Sequence, residues 1–150
     1  MKKKKKIALA TVITTTLLMT GCVTSQSTIQ QQNLELLQNK NWSLTHIGAT
    51  EYKVDPTAHN SPSLQFDATT QRLSGADGCN RIMGSYVVKK HEINLGQLAS
   101  TKMMCQNTAE LSSKFNEALN KVAGYQVYGQ TLKLLDRHGN PVLQFKSNTN

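Results

Sequence analysis

One stretch decides the fold of this 150-residue chain: residues 74–86, which read SGADGCNRIMGSY. Its glycines at positions 75, 78 and 84 permit backbone torsions that other residues avoid, so we predict a tight loop over Gly75–Asn80. Asn80 also suits a capping or left-handed position, and Arg81 suits pairing with a nearby acid or with carbonyl oxygens. After the loop, four residues share one face of a predicted strand: Ile82, Gly84, Tyr86 and Val88.

Further strands are indicated on both sides of this stretch, because apolar residues recur there at every second position. They are Trp42, Leu44 and His46, then Leu64 and Phe66, then Ile93 and Leu95. Three short candidates follow near the C-terminus: Tyr125–Tyr128, Thr131–Asp136 and Val142–Phe145. Gly129-Gln130 suits a two-residue turn with glycine in the first central position, and residues 136–140 have turn chemistry. The C-terminal part therefore reads as an antiparallel meander.

One segment, Thr108–Val122, has helical spacing instead, with charged residues left for water. Its apolar positions are Leu111, Phe115, Ala118, Leu119 and Val122. Asn107 with Glu110 resembles a capping box, and Gly124 supplies a stop signal. The sequence therefore predicts an α+β fold, a twisted antiparallel sheet or partly open barrel of short strands with one main helix, about 108–122, packed on it.

The N-terminus has the three parts of an export signal. Lys2–Lys6 are cationic, Ile7–Met19 form a short apolar stretch, and Thr20-Gly21 are small residues ahead of a cleavage point. A helix that crosses a bilayer needs about 20 apolar residues, so a retained transmembrane anchor is the less favoured alternative.

Residues 18–22, LMTGC, resemble a bacterial lipobox with Met19 where leucine is usual. The resemblance implies that the signal is cut before Cys22, whose thiol is joined to diacylglycerol and whose new amine is usually acylated. Two or three acyl chains make such an anchor effectively permanent. Val23, rather than an aspartate, implies sorting to the outer membrane with the domain facing the periplasm.

The formal charge of +8 lies mostly in that signal. Without Lys2–Lys6, Lys plus Arg falls from 17 to 12 against 9 acids, which leaves +3. Such a small excess gives little grip on phosphate backbones, so we do not expect a nucleic-acid partner.

Two of the three cysteines remain once Cys22 is assigned to the anchor. In an oxidising compartment an even pair in a small domain is usually a disulfide, so we predict a Cys79–Cys105 bridge. It would stabilise the fold by about 3.5 kcal/mol in the chain-entropy model. Two buried free thiols are the alternative, and zinc is disfavoured because no close Cys or His pair has ligand spacing.

Residues 74–86 and 98–105, LASTKMMC, together resemble the two signatures of the META domain family, to which the heat-inducible bacterial protein HslJ belongs. Met104 stands where the second signature usually has alanine. The opening residues 42–44 and closing residues 129–145 fit the same pattern. The resemblance implies antiparallel strands with a helix, an envelope location in Gram-negative bacteria, and association with stress or antibiotic tolerance. It supplies no catalytic residue.

The predicted organisation is a signal over 1–21, a polar tether and lead-in over 22–40, the folded domain over 41–146 and a tail over 147–150. Within the tether, residues 23–32 are polar, and three leucines at 34, 36 and 37 indicate a short helix leading into the domain.

Five residues of the two signatures form a candidate recognition surface: Asp77, Asn80, Arg81, Thr101 and Lys102. The alternative is a loop built only for its own stability. No catalytic constellation is evident, because the sequence has no nucleophile elbow and no phosphate-binding loop, and its histidines are scattered. The four histidines are His46, His59, His91 and His138. We therefore predict neither a cofactor nor a metal site.

The leading hypothesis is a non-catalytic lipoprotein that binds or supports another envelope component, either a protein or a small ligand. One alternative within binding is an inhibitor of a foreign hydrolase such as a lysozyme or protease. The alternative of a different class is a periplasmic hydrolase that uses a histidine with Asp77 or another acid.

Overall fold

The computed structural model describes residues 24–54, 56 and 60–147. Eight antiparallel strands form the wall of a barrel: β1 Asn41–Ile47, β3 Asn60–Phe66, β4 Arg72–Gly78, β5 Arg81–Lys89, β6 Glu92–Leu95, β8 Gly124–Tyr128, β9 Thr131–Leu135 and β10 Pro141–Ser147. Two further strands of two residues each pair beside the wall, β2 Thr50–Glu51 with β1 and β7 Ala99–Ser100 with β5. The helices are α1 Thr24–Leu37 and α2 Ala109–Leu119.

The barrel is closed, because β1 pairs with β3 on one edge and with β10 on the other. Trp42 lies opposite both Leu64 and Ser147, so the first and last strands of the wall meet. The prediction of an α+β fold with antiparallel strands is confirmed, but the predicted twisted sheet or partly open barrel is wrong, because the barrel is closed. Alternation along a strand shows which side chains face inward and not which strands become neighbours, so it could not reveal the closure.

The inward-facing side chains of the wall form one apolar core. Trp42 is fully buried and its indole N–H donates to the Leu37 carbonyl oxygen at 2.8 Å. Phe66 and Tyr86 pack edge to face with ring centroids 5.1 Å apart. The alternating burial along β1, β3, β8 and β9 confirms the strands predicted there.

Helix α2 packs on β4, β10 and β1. It buries Phe115, whose ring meets Phe145 edge to face at 6.3 Å. The predicted helix is confirmed over a shorter range, but the predicted capping box is wrong: Thr108 precedes the helix and no side chain caps it. Gly124 is not the stop either. The last turn tightens after Asn120, where N–H groups bond three residues back instead of four, and Gly124 begins β8.

Helix α1 extends over more of the chain than predicted, since the polar tether is helical from Thr24 onward. Its last turn docks on the core through Leu37, which is fully buried, and through Leu34 and Leu36. Because packing fixes this last turn, it serves as a nucleus from which the helix extends back through the preceding polar residues. The predicted signal over 1–21, Cys22 and residues 148–150 lie outside the described residues. Within the described part of the chain, neither helix combines the length and apolar character needed to span a bilayer.

Candidate functional site

The corner between β4 and β5 is tighter than the loop predicted over Gly75–Asn80. Strand β4 continues through Gly78, and only Cys79 and Asn80 turn the chain. Gly78 has φ +101°, and a Cβ there would lie 2.7 Å from Leu111 Cδ2 of α2. The predicted loop-forming role is wrong for Gly75, which keeps strand pairing on both sides. Gly78 supplies a positive φ and allows close approach to the helix.

The carboxylate of Asp77 ties this corner to α2. Asp77 is fully buried, and its Oδ1 accepts from the backbone N–H groups of Cys79 at 3.0 Å and Asn80 at 2.6 Å. Its Oδ2 accepts from the Ser112 hydroxyl at 2.6 Å and the Asn116 amide at 2.7 Å. The backbone of the turn and two side chains of α2 therefore share a single charged acceptor.

Neutral donors alone stabilise this buried charge. Burial by itself raises the pKa of Asp77, but the hydrogen bonds from Ser112, from the Asn80 and Cys79 backbone and from Asn116 together outweigh it, so the pKa lies below its ordinary value of 3.8. Within the described residues, no lysine, arginine or histidine forms an ion pair with Asp77. The carboxylate is therefore ionised at neutral pH and its oxygens are already occupied.

The predicted disulfide is confirmed, and it joins the same corner to the segment that precedes α2. Cys79 is bonded to Cys105, with Cα atoms 5.9 Å apart, just before α2. The segment between them is also held by Asn80, whose Oδ1 accepts from the Met103 backbone N–H at 2.8 Å. Thr101 exchanges two bonds with Arg81, its N–H donating to the Arg81 carbonyl at 3.1 Å and its hydroxyl accepting at 3.0 Å.

These attachments leave one exposed surface, formed by Arg81 and Thr101–Met104, which we call the signature face. Met103 is 47% exposed and Met104 is 98% exposed. Within the described residues, neither Arg81 nor Lys102 takes part in an ion pair. The face therefore combines two uncompensated cations with two flexible apolar side chains.

The five predicted recognition residues divide between this face and its support. Arg81, Thr101 and Lys102 lie on the face. Asp77 lies beneath it and offers no surface, and Asn80 is half-buried with its amide engaged inside. Sequence reasoning left out both methionines, although Met104 at a position where alanine is usual was the available signal.

Two surface cavities bear on possible chemistry. One of about 460 Å³ lies beside the signature face and is lined in part by the disulfide, Met103 and Met104. A larger one, about 810 Å³, lies where β6 and β8 pair through Glu92 and Gly124. The described residues that line them include no histidine.

The predicted histidines do not come together. Among the described ones, His46 contacts the Thr45 hydroxyl at 3.1 Å, while His91 and His138 lie in turns at different places on the barrel. His59 lies outside the described residues. In the described part of the chain, no three His, Cys, Asp or Glu side chains are grouped closely enough to hold a metal ion.

Comparison with known proteins adds a family and a fold. A family model described as META domain matches residues 32–149. An NMR structure of a protein from Burkholderia xenovorans has a TM-score of 0.60 and 28% identity, with 77% of this chain and 86% of that chain covered. A crystal structure of a DUF4847 family protein from Bacteroides vulgatus shares the fold, with a TM-score of 0.55, 20% identity and coverage of 77% and 97%. No curated protein matches the sequence.

Proposed function

Because this chain belongs to the META domain family, we propose that it is a non-catalytic, lipid-anchored module that binds or supports another component of the cell envelope. The observation that carries the proposal is the signature face, which is exposed above and fixed from below by the Cys79–Cys105 bridge and the Asp77 carboxylate. Binding to a surface that is already ordered avoids part of the entropy cost of association. The family resemblance further suggests a role in stress or antibiotic tolerance.

The anchor in this proposal is Cys22, joined to lipid after removal of residues 1–21. The lipobox-like sequence of residues 18–22 supports it, and so does the disulfide, since such bonds persist in oxidising compartments such as the bacterial periplasm. Val23 favours the outer membrane, with the barrel facing the periplasm. The partner is an envelope protein or a small ligand rather than a nucleic acid.

The chemistry of the signature face favours a protein partner. Methionine is unbranched and polarisable, so Met103 and Met104 adapt to differently shaped apolar surfaces. Arg81 and Lys102 add positive charge beside them, which selects against cationic partners and speeds encounter with acidic ones.

The hydrolase alternative is less well supported. It requires a histidine beside Asp77 or another acid, yet every hydrogen bond that Asp77 accepts comes from a backbone, hydroxyl or amide donor of the described residues. A carboxylate whose oxygens are all engaged is poorly placed to accept a proton from a reacting group.

The binding role is tested by site-specific photo-crosslinking in intact cells. A photoreactive amino acid replaces Met104 in one variant and Tyr128 in the other, because Tyr128 is also exposed but lies at the β8–β9 turn. We expect one recurrent adduct from position 104 and none of that mass from position 128. Absence of any adduct at 104, under stresses that raise the protein's level, would contradict a binding role for this face.

The anchor is tested by mass spectrometry of protein from its native cells. We expect a mature N-terminus at Cys22 that carries diacylglycerol and an acylated amine, and release from the membrane fraction on Cys22→Ala substitution. An intact Met1 with an unmodified Cys22 thiol would remove the anchor from the proposal while leaving the signature face untouched.

One observation favours an inhibitor as the second candidate. Lys102–Met104 are exposed beside the disulfide-bonded corner. Met104 is almost completely exposed, as expected for a side chain that enters another protein's active site. Inhibition of a lysozyme or protease panel by the wild type, lost in Met104→Asp, would support this version. Full activity of every enzyme in the panel at saturating protein would count against it.

A further inference from the structure

Strand β7 is a short edge strand that pairs with the same side of β5 as β6 does, further along β5. It pairs with β5 through Ile82 opposite Ser100 and Met83 opposite Ala99. Within the described residues, no strand pairs with its other edge. An unpaired edge presents main-chain donors and acceptors that another extended chain is able to use.

The outward-facing backbone groups of this edge are identified by the hydrogen bonds on its inner side. The N–H of Thr101 donates to the Arg81 carbonyl, and the N–H of Met103 donates to the Asn80 side chain, so both point toward β5. Because direction alternates along a strand, the N–H and C=O groups of Ser100 point away from β5. Lys102 lies just beyond β7, between two residues whose N–H groups point toward β5, so we infer that its backbone groups face the same way as those of Ser100. In the described part of the chain, these groups have no hydrogen-bond partner.

Both faces of β7 are open as well as its edge. Ser100 shares a face with Ile82, which is only 1% exposed inside the barrel, yet Ser100 itself is exposed. On the opposite face Ala99 is exposed beside Met83, which is 50% exposed. Both side chains of β7 are therefore open to solvent, which leaves room for a strand that is added at its free edge.

The side chains around the edge define what kind of strand fits. Arg81 and Lys102 are exposed cations without an ion-pair partner among the described residues, and the nearby Asp77 is buried and contributes no exposed charge. Met103 and Met104 supply apolar contacts at the end of the same edge. Charge complementarity therefore selects a segment that carries both acidic and apolar residues.

We propose that β7 and the segment that follows it form a strand-addition site for an extended acidic and apolar segment of a partner protein. The partner's main chain pairs with Ser100 and Lys102, its acidic side chains meet Arg81 and Lys102, and its apolar ones meet the methionines. This inference rests on the proposed binding role of the signature face and adds the partner's class and binding mode.

The test uses the full chain in detergent micelles and short capped peptides that alternate glutamate with valine. One matched peptide carries N-methyl groups on alternate backbone nitrogens, which removes the pairing donors and keeps every side chain. Another replaces glutamate with lysine. Fluorescence anisotropy gives the affinities, and NMR amide exchange reports protection at Ser100 and Lys102.

We expect the N-methylated and the lysine peptides to bind at least about tenfold more weakly than the parent peptide. The parent peptide should slow amide exchange at both Ser100 and Lys102. Ser100→Pro removes an outward donor that β5 does not use, so it should weaken binding by about tenfold, while Ser100→Ala keeps the donor and the affinity. Circular dichroism checks that both variants are folded.

Equal binding of the parent and N-methylated peptides, or no binding of any peptide, overturns strand addition even if Ser100→Pro fails to fold. A recurrent adduct at position 104 together with that outcome leaves the proposed binding role standing and removes only this mode of recognition. Strand pairing with the peptides but no adduct in cells has the opposite meaning, since the site then exists without the proposed envelope partner.

Discussion

Two aspartates in this molecule hold turns in the same local way but in opposite surroundings. Asp136 lies in the exposed turn between β9 and β10, and its Oδ1 accepts from the backbone N–H groups of His138 at 2.8 Å and Asn140 at 2.9 Å. Among the described residues, its Oδ2 accepts from no group but the side chain of Asn140, within the same turn, at 3.2 Å. This carboxylate therefore organises nothing beyond its own hairpin.

Asp77 performs the same local task at the β4–β5 corner and then a second one. Its Oδ1 holds the turn, but its Oδ2 accepts from Ser112 and Asn116, which lie on a helix more than thirty positions away. Because the oxygen is buried, those donors have no water to replace it. Burial of one carboxylate oxygen therefore lets the same turn contact also link separate parts of the chain.

The largest expected effect that tests this difference is on stability. Asp77→Ala leaves two backbone N–H groups and two side-chain donors buried without an acceptor, so we expect a loss of about 4 kcal/mol in the free energy of unfolding. Urea denaturation followed by circular dichroism measures it.

Asp136→Ala is the matched control, because it removes the same local turn contacts where water is able to replace them. It should cost much less than Asp77→Ala. Equal losses from the two variants would mean that the buried link to α2 adds nothing, and the distinction between the corners would fail.

The next effect separates two ways of fixing the same corner. Replacing both Cys79 and Cys105 with serine should cost about 3.5 kcal/mol, chiefly because the unfolded chain gains freedom. The denaturant slope m should rise, since the unfolded state without the bridge exposes more surface. Asp77→Ala acts on the folded state and should leave m unchanged. A raised m in Asp77→Ala with an unchanged m in the cysteine variant would reverse these assignments.

Sequence patterns predicted the parts of this molecule that depend on local spacing. Alternation identified the strands around Trp42 and Leu64, the helical period identified α2, and Gly129-Gln130 correctly marked a two-residue turn between β8 and β9. The disulfide was predicted because it follows from counting cysteines once Cys22 is set aside.

Long-range relations were not predicted, because spacing along one segment does not report what lies opposite it. Closure of β1 on β10 joins residues about a hundred positions apart. The predicted recognition surface wrongly included Asp77 for the same reason. Nothing in the sequence around Ser112 and Asn116 indicates that these side chains donate to a buried carboxylate.

A smaller effect isolates the helix side of the tie. Ser112→Ala removes the hydroxyl that donates to Asp77 at 2.6 Å, a charge-assisted hydrogen bond, and should cost about 2 kcal/mol. Ser113→Ala makes the identical change one residue along, on the exposed side of α2, and should stay within about 0.5 kcal/mol of wild type. Because alanine favours the helix equally at both positions, equal stabilities of the two variants would mean that the hydrogen bond to the carboxylate contributes nothing.

The smallest effect is a difference in acid sensitivity between the two aspartates. Hydrogen bonding holds the pKa of Asp77 below 3.8 despite its burial, so in that range the unfolded chain binds more protons than the folded one. Stability from this group is therefore complete above about pH 5 and is lost as the pH falls through 3.8 toward the lower folded pKa.

In Asp77→Asn the amide does not titrate, so unfolding measured from pH 6 to pH 2 should show a shallower acid loss than wild type. The pKa of Asp136 is also lowered, mainly by the Asn140 backbone N–H, but that carboxylate lies near the surface, where water and salt screen it. Asp136→Asn should therefore change the slope less than Asp77→Asn does. A larger change in the Asp136 variant would show that the acid response comes from exposed turns and not from the buried corner.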